Sequence, residues 1–118
     1  MKRGNPISRA LGGIAHAFRK RLSLRIHMSV AFTVIVAGGY FGLSSIEWCI
    51  ITVCIGAVLS AELFNTSLER RLTETAPESL DEDSSSLDIA AGAVLVVCLA
   101  AALIGCIVFI PYFIDRFL

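Results

Sequence analysis

Residues 89–114 read IAAGAVLVVCLAAALIGCIVFIPYFI, a run of 26 residues without a charged side chain. A helix of about 20 apolar residues is long enough to cross the hydrocarbon core of a bilayer. The whole chain has 118 residues, of which 56% are hydrophobic, and its mean hydropathy is +0.78. A soluble domain of this size cannot bury so much apolar surface. The sequence therefore predicts a single-domain integral membrane protein over residues 1–118.

Two further apolar stretches precede this run. Residues 28–45 carry no charge, and residues 46–64 contain only Glu47 and Glu62 as charged residues. They are predicted to cross the membrane in opposite directions, which gives three spans in an all-α fold. The helical pattern of the second span continues beyond its apolar part, so this helix is expected to project as far as Thr75. The acidic, serine-rich residues 76–87 are predicted to form a cytoplasmic loop.

The N-terminal region is basic and amphipathic. In residues 7–25, apolar side chains recur at three- and four-residue steps, with basic residues on the other side. This pattern predicts a helix in the membrane interface that either only anchors the chain or also walls a site, with Arg9 and Arg25 as candidate substrate or interface contacts. We interpret Arg25 and His27 as a pair that snorkels to the interface. The first 27 residues hold no acid, which places the N-terminus in the cytoplasm by the positive-inside rule.

Residues 62–69, ELFNTSLE, put polar groups where the second span leaves the membrane. At about 100° per residue, Glu62, Asn65 and Glu69 fall on one helical face. A carboxylate near bilayer depth indicates a functional site, and two acids with an amide could hold a divalent cation beside a general base. Asp88 directly precedes the third span, where it is either a helix N-cap or a member of the same site.

Several motifs occur together in this chain. They are AELFNTSLE at residues 61–69, DIAAGAVL at 88–95, RIH at 25–27, the A-L-x-G-I pattern at 10–14 and the S-x-E-W pattern at 45–48. In order and spacing they resemble the small prokaryotic diacylglycerol kinase and undecaprenol kinase family over roughly residues 7–113. The E-x-x-N-[ST]-x-x-E block is the most specific match, and the RIH and DIAAGAVL wording is closer to the undecaprenol kinase branch.

The resemblance implies a homotrimer of three-span subunits in the bacterial cytoplasmic (inner) membrane. Such an enzyme transfers the γ-phosphoryl group of Mg-ATP to a lipid alcohol, undecaprenol or diacylglycerol, and nucleic acid is not an expected partner. By the same resemblance, Glu62 is the general base for the lipid hydroxyl and Glu69 is a Mg²⁺ ligand. Asn65, Glu69 and Asp88 are expected to contribute to the nucleotide site.

Three positions depart from the family pattern. Arg21 stands where the family has a glutamate that helps bind the metal, Leu87 replaces a lysine and Thr73 replaces an aspartate. An ion pair between Arg21 and Glu69 would weaken the binding of Mg-ATP. The sequence thus leaves three interpretations open. The first is an active lipid kinase whose metal is held by Glu69 and phosphates alone, or with help from an acid in residues 74–83. The others are a catalytically impaired relative that acts as a membrane interaction or lipid-binding protein, and a small membrane protein that merely has a polar helix end.

Overall fold

The computed structural model of the chain describes residues 4–75 and 85–118. Within these two ranges the chain is helical and contains no strand. The four helices are α1 (Pro6–Lys20), α2 (Leu22–Phe41), α3 (Ser45–Thr75) and α4 (Ser85–Phe117). Helices α2, α3 and α4 are each long and apolar enough to cross a membrane. The prediction of an all-α fold with three candidate spans is therefore confirmed.

Helix α1 begins and ends at clear local signals. Pro6 occupies the first turn, and the Asn5 side chain accepts a hydrogen bond from the Ser8 amide at 2.6 Å, as expected of an N-cap. The helix ends at Lys20, and the next residue, Arg21, has an extended backbone (φ −120°, ψ 116°). Residues 7–25, predicted as one interfacial helix, are thus divided between α1 and the first turn of α2. The position of α1 in a membrane interface stays a prediction.

The turn between α2 and α3 is built from a glycine cap and a reciprocal capping box. Gly42 has a positive φ of 73°, and the amides of Gly42 and Leu43 both donate to the Gly38 carbonyl, at 2.9 and 3.2 Å. A left-handed glycine is a common helix terminator. Glu47 Oε1 then accepts from the Ser44 amide at 2.9 Å, while Ser44 Oγ accepts from the Glu47 amide at 3.2 Å. This exchange starts α3.

The helices extend beyond the predicted apolar spans. Helix α2 begins at Leu22 rather than at residue 28, because the basic and polar residues before the span continue the helical backbone. The described part of helix α3 reaches Thr75, the residue to which it was predicted to project, and α4 runs past Pro111 to Phe117. Helix α4 also begins at Ser85, within the predicted loop 76–87, and residues 76–84 of that loop lie outside the described part of the chain.

The best-buried apolar core lies near the turn between α2 and α3. Leu43, Ile51 and Val108 are buried together there, and the Tyr112 hydroxyl donates a hydrogen bond to Glu47. Since Glu47 touches Tyr112 and both helices rise about 1.5 Å per residue, the antiparallel α4 brings Asp88 to about the level of Glu69. The bundle therefore has two ends. One holds the turn between α2 and α3. The opposite end holds Arg21, Glu69 and Asp88 and is called the Glu62 end.

Gly38 gives a direct test of this packing. A Cβ atom at Gly38 would lie 2.7 Å from Cη2 of Trp48 and 3.0 Å from Cδ1 of Leu43, whereas a Cβ at Gly39 would meet nothing within 4 Å. We expect Gly38→Ala to lower the free energy of unfolding by about 1–3 kcal/mol through overpacking. Gly39→Ala is the matched control and should leave it unchanged or raise it by up to about 1 kcal/mol through helix propensity. Denaturant-induced unfolding in detergent, followed by circular dichroism, measures both, and equal stabilities would contradict this packing.

Candidate functional site

The side chain of Glu62 is the centre of the Glu62 end. It is 3% exposed, and it is the one buried polar or charged residue among those that the structure describes. Its oxygen Oε1 accepts a hydrogen bond from Ser23 Oγ at 2.5 Å, and its oxygen Oε2 lies 3.8 Å from His27 Nε2. A carboxylate withdrawn from water is costly unless polar partners compensate it. Helix α2 therefore supplies both side chains that accommodate Glu62.

The break between α1 and α2 determines how these partners approach Glu62. Ser23 and His27 are four residues apart on α2, so they lie one turn apart on the same helical face. Leu24, 1% exposed, anchors the same turn in the protein. The Arg25 guanidinium reaches back to the carbonyls of Phe18 and Arg19, at 3.1 and 3.0 Å, and so satisfies acceptors left free at the end of α1. The short connection is thereby held in one conformation.

An apolar cavity of about 270 Å³ lies between α2, α3 and α4. Aliphatic side chains, alanines, Cys54 and Cys98 form most of its wall, and His27 contributes a polar group to it. His27 Nε2 also lies 3.8 Å from Glu62 Oε2, so the same imidazole borders both the cavity and the carboxylate. His27 does not only snorkel to the interface, as the sequence had suggested. It lines the apolar cavity and also lies next to the buried carboxylate of Glu62.

Glu69 is paired with Arg21. Arg21 Nη1 lies 3.0 Å from Glu69 Oε1, and the two side chains are 29% and 39% exposed. The hydrogen bond to Glu69 raises the pKa of the Arg21 guanidinium, a group that is charged at physiological pH even without this contact. Both groups remain accessible to solvent, so a charged ligand could compete for either of them. The ion pair considered from the sequence is thus present in the structure.

The described residues do not form a magnesium cage by themselves. Among residues 4–75 and 85–118, no group of three or more histidine, cysteine, aspartate or glutamate side chains lies close enough to hold a metal ion. Magnesium prefers six oxygen ligands and commonly takes several of them from water and phosphate. Glu69, the predicted metal ligand, instead carries the guanidinium of Arg21 as its counter-ion. The donor set within residues 4–75 and 85–118 therefore does not fit a metal bound by these protein groups alone.

The other predicted site residues are placed less directly. Asn65 is half-buried on α3, one turn from Glu62, and between them and Glu69 the buried hydroxyl of Thr66 has no hydrogen-bond partner within the described residues. Asp88 is exposed in the first turn of α4. It is therefore not the N-cap, because the helix begins three residues earlier, although its charge suits a helix N-terminus. Arg9 is exposed on α1, and Arg25 binds the end of α1, as described above.

Sequence reasoning found Glu62 but missed Ser23 and His27 as its partners. The available signal was the four-residue spacing of two polar side chains just before an apolar span. That spacing could not indicate which helix they would face. Nothing in the residue types distinguishes a snorkelling histidine from one that faces a carboxylate on the neighbouring helix.

Known proteins give an independent comparison. The sequence profile of the prokaryotic diacylglycerol kinase family matches residues 8–109. The undecaprenol kinase of Bacillus subtilis (strain 168) is 33% identical over 99 residues, which cover 84% of this chain and 80% of that protein. The diacylglycerol kinase of Synechocystis sp. is 32% identical over 103 residues, covering 86% of this chain and 59% of that protein. No solved structure matches the chain.

The Arg21–Glu69 pair predicts a change in metal binding. Arg21→Glu removes the cation from Glu69 and adds a second carboxylate, so we expect it to bind Mn²⁺, used in place of Mg²⁺, at least about tenfold more tightly than the parent protein. Electron paramagnetic resonance of free Mn²⁺ in the presence of ADP measures the affinity. Arg21→Gln separates loss of the cation from gain of a ligand. Arg71→Glu makes the same charge change at an exposed position of α3, and an equal gain there would contradict the assignment.

Proposed function

Because this chain belongs to the prokaryotic diacylglycerol kinase family, we propose that it is an ATP-dependent lipid kinase. Its substrate is a membrane lipid alcohol, undecaprenol or diacylglycerol, which are the substrates named in the two relatives. The reaction takes place where Glu62 meets the membrane surface. The family and the two relatives support phosphorylation of a lipid, and ATP as the phosphate donor is part of the proposal.

The observation that carries this proposal is the buried carboxylate of Glu62 beside an apolar cavity. Glu62 is 3% exposed, and His27 connects it with a space of about 270 Å³ inside the bundle. A lipid alcohol combines a long apolar tail with one hydroxyl group, so it needs an apolar space and a proton acceptor next to each other. Here both adjoin His27, which lines the cavity and lies 3.8 Å from Glu62.

The proposed reaction requires little covalent chemistry from the protein. In the proposed step, the proton of the lipid hydroxyl moves to Glu62, and the lipid oxygen bonds to the γ-phosphorus of ATP. The bond from that phosphorus to the bridging oxygen breaks, and ADP leaves. Phosphoryl transfer depends mainly on positioning and on stabilisation of the phosphate charge. Glu62 acts as the general base in this proposal.

The part of the site that would bind the phosphates of ATP is less completely formed than the surroundings of Glu62. Asn65, Glu69 and Asp88 are the proposed nucleotide contacts, and the basic face of α1, including Arg9, is a proposed surface that attracts ATP. Mg²⁺, where bound, neutralises phosphate charge. In this proposal it arrives on ATP, because the described residues supply no cage for it and Glu69 is paired with Arg21.

The proposed setting is the bacterial inner membrane with the N-terminus in the cytoplasm. The basic, acid-free N-terminal region supports this orientation. We further propose a homotrimer. Ala90, Ala91, Gly92 and Ala93 give α4 a small-residue surface, and a Cβ at Gly92 would meet nothing within 4 Å, so another helix could approach closely at that point.

A second function is favoured by one observation. The Arg21–Glu69 ion pair occupies the carboxylate that the family resemblance assigns to the metal. If this ion pair does not open, the chain keeps the fold and the buried acid but does not bind Mg-ATP productively. The protein would then be a catalytically impaired relative that binds a lipid or a membrane partner.

Phosphate transfer to lipid tests the two functions directly. Purified protein in lipid vesicles is given γ-labelled ATP, Mg²⁺ and either undecaprenol or diacylglycerol, and label in the extracted lipid is measured. We expect transfer to one or both lipids that requires Mg²⁺. We expect Glu62→Gln to lower the rate by about 10²- to 10⁴-fold, since it removes the general base.

The controls separate activity from folding. Glu69→Gln should lower the affinity for nucleotide more than the catalytic rate, because this residue is proposed to act on the phosphate side. Thr33→Ala removes an exposed hydroxyl that bonds only to its own helix and should behave as the parent protein. Transfer to neither lipid, by protein with a normal circular dichroism spectrum and unfolding midpoint, would reject the kinase and favour the impaired relative.

A further inference from the structure

Ser23 holds one particular oxygen of Glu62. Its hydroxyl donates to Oε1 at 2.5 Å, while the other oxygen, Oε2, lies 3.8 Å from His27 Nε2. The two oxygens of this buried carboxylate therefore have different environments. Oε1 is engaged in a short, direct hydrogen bond, and Oε2 is the freer oxygen.

The residue next to the freer oxygen also lines the cavity. His27, its neighbour, lines the apolar cavity, and Ser23 is not among the cavity residues. A hydroxyl group that comes from the cavity would thus meet Oε2 and His27 before it meets Oε1. An apolar substrate that entered through the cavity would therefore approach the oxygen that has no direct hydrogen bond within the described residues.

We propose that Ser23 is a positioning residue that fixes the Glu62 carboxylate through Oε1 and leaves Oε2 as the oxygen that takes the proton of the lipid hydroxyl. This inference rests on the kinase proposed above. Neither the family resemblance nor the predicted site residues assign a role to Ser23.

The physical reason is the freedom of a glutamate side chain. Glu62 has three rotatable bonds, and a carboxylate without a fixed partner would sample several orientations. One charge-assisted hydrogen bond to a residue on another helix selects one of them. Ser23 lies in the first turn of α2, two residues after the extended residue Arg21. Its position therefore depends on the backbone of the connection between α1 and α2. Proton transfer requires the acceptor oxygen within hydrogen-bond reach of the hydroxyl, so this selection sets the rate.

The test is the catalytic rate of three variants on the lipid that the parent protein phosphorylates. Ser23→Ala removes the hydroxyl, and we expect kcat to fall by about 10- to 100-fold with KM for lipid and ATP within about threefold of the parent values. Ser23→Thr keeps a hydroxyl and should recover kcat to within about threefold. Thr33→Ala is the matched hydroxyl deletion on the same helix and should not change kcat.

A double-variant cycle separates positioning from a merely structural role. If Ser23 acts only through Glu62, adding Ser23→Ala to Glu62→Gln should cause no further loss of the residual rate. Full additivity, an unchanged kcat in Ser23→Ala, or a failure of Ser23→Thr to recover kcat in protein with a parental unfolding midpoint would overturn the inference. Absence of transfer by the parent protein would instead reject the kinase itself, so the two failures are distinguishable.

Discussion

The buried carboxylate of Glu62 is the constraint on which the Glu62 end of this protein depends. A helix that carries such a group inside an apolar bundle must bring a polar partner from a neighbouring helix, because water is excluded there. The partner is Ser23, at 2.5 Å, and it can reach Glu62 only if α2 begins before the apolar stretch does. The additional polar turn of α2 is thus required by the acid on α3.

The break at Arg21 meets this requirement and, at the same time, changes the phosphate side of the site. An extended residue between α1 and α2 lets the first turn of α2 face α3, and the Arg25 guanidinium stabilises the end of α1 beside it. The side chain of the extended residue itself then reaches Glu69 at 3.0 Å. The extended backbone at Arg21 therefore positions two side chains. It brings Ser23 to Glu62, the proposed general base, and Arg21 to Glu69, the residue proposed for phosphate chemistry. A substitution at Arg21 acts on charge and on this connection together.

Much of the fold could be predicted because it follows from hydrophobicity along the chain. Three apolar runs gave three helices, and the polar periodicity after Glu62 predicted that α3 projects as far as Thr75, which is helical in the structure. The same periodicity put Glu62, Asn65 and Glu69 on one helical face. It could not place Ser23 and His27 opposite Glu62, because that contact depends on how α2 is rotated about its axis and on the break at Arg21. Residues 7–25 follow one continuous helical pattern, and no glycine or proline stands near the break at Arg21 to indicate an interruption.

The two halves of the proposed site differ in how firmly the chain holds them. The acid–base half is buried and hydrogen-bonded, and its neighbour His27 lines the cavity. The phosphate half consists of a part-exposed ion pair and of Asp88, which is exposed on α4. An incoming polyphosphate would compete with Glu69 for Arg21, and its metal would compete with Arg21 for Glu69. Since each exchange would leave both charged groups with a partner of opposite charge, opening this part-exposed pair would cost less than exposing Glu62.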